Sequence, residues 1–97
     1  MRRTILSTPR MQACLDFDTG YPMLHMELPM GITPSLYKYI KNVFIEDLLI
    51  TLGSLGYETI FAVLEEENKT GIKSAKLIGF EEEKTVDGFT WLVQEIA

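Results

Sequence analysis

Thr59 to Phe80, TIFAVLEEENKTGIKSAKLIGF, is the stretch whose reading decides the fold. Thr59 to Leu64 is mostly apolar and rich in strand formers, which marks an inner strand. Glu65-Glu66-Glu67 ends it. Asn68 is suited to cap a helix, because its side-chain oxygen accepts from a free N–H of the first turn. Lys69 to Ile78 follows as a helix of about two to three turns that stops at Gly79. Phe80 then returns the chain to the core.

A longer periodic segment lies upstream. Thr33-Pro34 opens it as N-cap and first helical residue, where the missing N–H of proline costs nothing. Leu36, Ile40, Val43, Phe44, Leu48, Thr51, Leu52 and Leu55 recur at helical spacing over about 22 residues, so they are expected to face a sheet. Gly56 supplies a left-handed stop from which Tyr57 leaves at a new angle. A strand that follows such a crossover helix pairs parallel to an earlier strand.

The earlier strands read from alternation. Arg3 to Ser7 is a short strand ended by Thr8-Pro9, and Met11 to Phe17 is a second, with Met11, Ala13, Leu15 and Phe17 on one face. After a turn at Asp18-Thr19-Gly20, residues Tyr21 to Leu28 place Leu24, Met26 and Leu28 on one face and His25 and Glu27 on the other. At the far end, Glu81 to Val86, a turn at Asp87-Gly88 and Phe89 to Ile96 form a hairpin, with Trp91 expected against a helix. The fold class is α+β: a mixed, mostly antiparallel sheet with two helices, in the order β-β-β-α-β-α-β-β.

Composition sets the bounds on function. With 97 residues and no repeat or linker, the chain makes one domain, 1–97, that buries roughly 60 to 65% of its extended surface. Apolar residues at 46% and charged residues at 24% exclude wholesale disorder. A net charge of −5 repels nucleic acid phosphates and anionic lipid, so neither is expected as a partner. Arg2, Arg3 and Arg10 read as a solvated N-terminal cluster. No apolar run approaches the roughly 20 residues that span a bilayer, and the start MRRTILSTPRMQACLDFD lacks the apolar core of a leader. The expected setting is intracellular, or packaged from an intracellular pool. One cysteine, Cys14, and one histidine exclude an internal disulfide and a Cys/His zinc site, so no metal is expected.

Asn68, Gly71, Ile72, Gly79 and Phe80 keep a spacing in which a small residue, an aliphatic and a Gly-Phe pair follow an Asn. Gly31-Ile32-Thr33-Pro34-Ser35-Leu36 lies between the third strand and the long helix. In these positions, and in element order, the chain resembles the C-terminal two-thirds of the GNAT acyltransferase superfamily. That resemblance implies a sheet with two splayed central strands and an acyl-CoA site in the gap. It points to Gly31, Ile32, Thr33, Ser35 and Asn68 as what remains of the cofactor site. The same comparison shows departures where the chemistry would be. Leu28 stands where the family's phosphate loop has Arg or Gln, Thr33 stands at its second small residue, and Pro34 deletes a donor. Ala75 stands where many members have the Tyr that protonates the leaving thiolate. The family's N-terminal strand and helix pair have no room before Tyr21.

Other residues are candidates for chemistry. His25 or Glu27 could serve as a base for an amine, and Tyr37 or Tyr39 as a proton donor. The runs Glu65 to Glu67 and Glu81 to Glu83 point alternately to opposite faces of a strand, so they read as solvated edges. The tail further resembles short phage-encoded GNAT-like proteins, some of them virion components, through Lys76, Gly79 and Phe80. That resemblance implies a bacterial cytoplasmic or phage-virion location. Two functions follow as expectations. The first is a non-catalytic structural or protein-interaction domain without a cofactor, with a protein partner or self-association through Met11, Met23, Met26 and Met30. The alternative is a small acyl-CoA N-acyltransferase that uses acetyl-CoA on a primary amine.

Overall fold

Alternation along the strands sorts side chains onto two faces of one sheet, and the two faces meet different surroundings. The computed structural model describes residues 2–96. Strands β1 (Arg2–Thr8), β2 (Met11–Asp16) and β3 (Met23–Glu27) form an antiparallel meander. Thr8 Oγ1 accepts from Met11 N–H at 3.0 Å and so closes the first turn. Asp16 Oδ1 accepts from Asp18 N–H at 2.9 Å and starts the second. Strand β4 (Thr59–Glu65) lies parallel to β3, β6 (Phe89–Glu95) antiparallel to β4, and β5 (Glu81–Val86) on the outer edge. The sheet order is β1-β2-β3-β4-β6-β5. Asp87 (φ 52°) and Gly88 (φ 82°) make the β5–β6 turn with both central residues left-handed, as an Asp-Gly pair favours.

The long helix is less regular than its sequence period suggests. Thr33 caps α1 (Pro34–Tyr39) by accepting from Leu36 N–H, and α1 runs through a π turn at Ile40–Phe44 into α2 (Ile45–Ser54). The N–H of Ile45 bonds to the carbonyl of Ile40, five residues back. One extra residue in a turn rotates everything after it by about 100°. Ile45 therefore takes the buried place expected of Phe44, while Leu52 stays buried and Val43 and Leu55 turn outward. The inward placement of Val43 and Leu55 read from a uniform 3.6-residue period is thus corrected by the π turn.

Helix α3 (Lys69–Leu77) is capped by Asn68, whose Oδ1 accepts from Gly71 N–H at 2.9 Å. A Cβ on Gly71 would fall 2.5 Å from Asn68 Nδ2, so the cap itself requires glycine there. At the other end, Gly79 has φ +115° and a Cβ on it would stand 2.9 Å from Gln94 Nε2. Glycine alone tolerates both conditions. It lets Phe80 turn back into the core, where the Phe80 N–H donates to the Ala75 carbonyl at 3.0 Å.

Ile40, Ile45 and Leu52 from the long helix join Ile72, Ala75 and Ile78 from α3 in one core with Leu15, Leu24, Ile60 and Leu92 of the sheet. Both helical rods thus cover the same face. Trp91 alternates with buried Leu92, which puts it on the opposite face, against Phe61 rather than against a helix as expected. The four methionines do not form one patch either. Met11 is buried in the core, Met30 is exposed in a turn, and Met23 and Met26 point to opposite faces of β3. Among the described residues no helix is long and apolar enough to cross a membrane.

Candidate functional site: a cleft between splayed strands

Parallel strands need a regular ladder to stay together, and β3 and β4 have almost none. They share one register pair, Met23 with Phe61, beside which Phe61 N–H donates to the Pro22 carbonyl at 2.9 Å. Beyond that point the strands part. The gap opens into a cleft of about 470 Å³ whose floor and walls come from β3, β4, the turn before α1, and α3.

Of the residues singled out from sequence, His25, Glu27, Gly31, Ile32 and Asn68 line this cleft. Tyr37, Thr33 and Ser35 do not. Tyr37 Oη instead donates to the Leu77 carbonyl at 3.3 Å and accepts from Lys41 Nζ at 3.2 Å, which ties α1 to the end of α3. Its hydroxyl thus joins two helices outside the cleft lining. The Thr33 hydroxyl accepts from Leu36 N–H at 3.2 Å and lies 3.3 Å from Ser35 Oγ, so both hydroxyls serve the helix start.

The cleft also takes Thr70, Ser74 and Ala75 from α3, and Arg2 from β1. Sequence reasoning had not placed Thr70, Ser74 or Arg2 there. Helical spacing counted from Asn68 is the signal that finds Ser74: Gly71, Ser74 or Ala75, and Ile78 at the C-cap follow three or four residues apart and face the cleft, whereas Thr70 falls outside that spacing. Ala75, in the place of the family's Tyr, presents only a methyl group.

Electrostatics at the open end centre on His25. Burial lowers its pKa from the ordinary 6.5, the nearby Arg2 guanidinium lowers it further, and Asp16 opposes both. The imidazole is therefore neutral at pH 7 and able to accept a proton. Cys14 is its cross-strand partner, with Cys14 Sγ 3.7 Å from Thr4 Oγ1. Among the described residues no group of His, Cys, Asp or Glu is placed to hold a metal ion. The Glu81–Glu83 run lies on an exposed edge strand, where Glu82 pairs with Lys76 at 2.9 Å.

The turn before α1 offers few donors to an anion. Gly31 N–H is bonded to the Leu28 carbonyl at 2.9 Å, Leu36 N–H to Thr33, and Pro34 has none. Ile32, Thr33 and Ser35 are left. The half-buried Leu28 packs against the core and brings no charge.

A mixed six-stranded sheet parted between its two parallel strands, with helices in this order, defines the fold of the GNAT N-acetyltransferases, and this chain has that fold. It superposes on an aminoglycoside acetyltransferase solved in complex with coenzyme A with a TM-score of 0.62 at 20% identity, over 91% of this chain and 60% of that one. An acetyltransferase of the GNAT family from Listeria monocytogenes gives 0.60 at 20% identity, over 96% and 61%. A ribosomal-protein alanine N-acetyltransferase from Escherichia coli gives 0.59 at 16% identity, over 98% and 70%. The chain thus spans about three-fifths of the length of the first two. No family model and no curated protein matches the sequence.

Proposed function

We propose that this chain is a GNAT-fold domain that works through protein contacts and does not transfer acetyl groups. The observation that carries the reading is the turn before α1. A pyrophosphate is held at such a turn by several convergent N–H groups and a basic side chain. Here Gly31 and Leu36 spend their N–H groups within the turn and Pro34 has none, which leaves those of Ile32, Thr33 and Ser35 without a basic side chain beside them in the turn. Leu28 supplies no charge. Ala75 adds a second deficit, because its methyl group cannot protonate a leaving thiolate. The phage-particle setting implied by Lys76, Gly79 and Phe80 belongs to the same proposal, as does the bacterial cytoplasm as the alternative location.

One observation favours the second reading, a small acyl-CoA N-acyltransferase acting on a primary amine. His25 lines the cleft and its lowered pKa keeps it neutral, so it is free to accept the proton that a primary amine loses as it attacks the thioester carbonyl and the thiolate leaves. Calorimetric titration with acetyl-CoA separates the two. The contact-domain reading expects no heat of binding up to about 1 mM ligand. Micromolar affinity, or release of free thiol from acetyl-CoA in the presence of a polyamine, would sink it.

A further inference from the structure

Sheets bury one face against helices and leave the other in water only when that face is polar. Here the uncovered face divides in two. Its β1–β2 side carries Arg2, Thr4, Gln12 and Asp16, an ordinary solvated surface. Its β3–β4–β6 side carries Met23, Phe61, Val63, Trp91, Val93 and Phe89 side by side. Among the described residues no helix lies over them. Each is partly exposed, and Phe89 is 45% exposed. Tyr21 stacks edge-on to Phe61 with centroids 5.6 Å apart, and Phe61 edge-on to Trp91 at 6.1 Å, so the patch is preformed.

Its border is acidic. Glu27, Glu65 and Glu95 are exposed at the ends of the strands that carry the patch, Glu81 at the start of the neighbouring β5, all on the patch side by alternation, and none has an ion pair among the described residues. Among the described residues, Lys84, 5.1 Å above the Trp91 ring, is the one cation within the patch itself. A second copy of this chain would bring an identical acidic border onto the first, at a net charge of −5 each. A partner with cationic flanks meets no such penalty.

We propose that the open face of β3, β4 and β6 is a docking surface for a basic amphipathic helix of a partner protein. Phe89 to Val93 spans about 13 Å along the strand, the length of about nine helical residues. An apolar stripe of that length would cover the aromatic row while Lys or Arg side chains on either side reach the glutamates. The assignment takes its biological sense from the contact-domain reading; Glu27 and Val63 also line the cleft, but the surface takes no residue from the turn before α1 or from α3.

Trp91 is the only tryptophan and sits at the centre of the patch, so its emission reports the contact directly. The probe is a synthetic peptide of about 14 residues with Leu at helical spacing and Lys elsewhere; the control replaces every Lys with Glu. The expected result is a saturable blue shift of Trp91 emission with the Lys peptide and none with the Glu peptide. Phe89→Lys, at an exposed position, should weaken binding about tenfold or more, and so should Glu65→Lys combined with Glu95→Lys. Equal binding of both peptides, or binding unchanged by these variants, overturns the proposal. A concentration-dependent Trp91 shift without peptide, matched by dimer mass in light scattering, overturns it in favour of self-association. Acetyl-CoA titrated into the same samples keeps the two readings apart: peptide binding together with acetyl-CoA binding would retain this surface and remove the non-catalytic reading of the cleft.

Discussion

Both faces of the sheet carry apolar side chains and use them differently. On the covered face, Leu15, Leu24, Ile60 and Leu92 are at most 5% exposed beneath two helical rods. On the open face, Phe61, Trp91 and Val93 are shielded by one another, by their strand neighbours and by Tyr21, with no helix above them. The difference shows that alternation alone does not identify a core. An apolar face becomes core only where another layer supplies atoms to pack against.

Substitutions on the two faces test that comparison. Leu92→Ala leaves a cavity under the helices and is expected to cost about 2–5 kcal/mol, read as a lower urea midpoint. Phe61→Ala removes a larger side chain from the open face, yet is expected to cost less, about 1–2 kcal/mol, because the ring is only partly buried and no second layer packs on it. If Phe61→Ala cost as much as Leu92→Ala, the open face would be a second core and the distinction would fail. Phe89→Ala, at the rim, should change stability by no more than about 0.5 kcal/mol.

The last test reads a slope. The fold holds the His25 pKa below 6.5, so well above pH 6.5 the residue is neutral in folded and unfolded chains alike and its titration does not affect stability. As pH falls through 6.5 towards the folded value, the unfolded chain binds the proton first and stability drops. The urea midpoint should therefore fall between pH 7.5 and about 5.5 more steeply for the wild type than for His25→Gln. Parallel slopes would mean that burial and Arg2 do not act on the imidazole.

Much of the fold was legible because local chemistry and tertiary role agree. Thr33 and Asn68 cap the helices they were expected to cap, and Asp87-Gly88 turns the hairpin. Leu24 and Met26 face away from His25 and Glu27. The π turn was not legible, because Val43, Phe44 and Ile45 are all apolar and satisfy either helical register; only packing on the sheet chooses between them. Trp91 was misread for a related reason: its alternation with Leu92 gives two faces but not which one the helices cover. In the site, His25, Glu27, Gly31, Ile32 and Asn68 fall where strand ends and a helix start must converge. Tyr37, one turn into α1, reaches across to the Leu77 carbonyl at the end of α3, a direction that sequence spacing does not reveal.

The single tie between β3 and β4 also has a consequence for folding order. The meander of β1 to β3 closes through short turns, whereas Met23 and Phe61 meet only after the whole crossover helix has been placed. Long loops closed for little reward form late. The seam at Phe61 is therefore the last join to be made and the first to open, so its amide should exchange with solvent sooner than that of Leu15, within the meander.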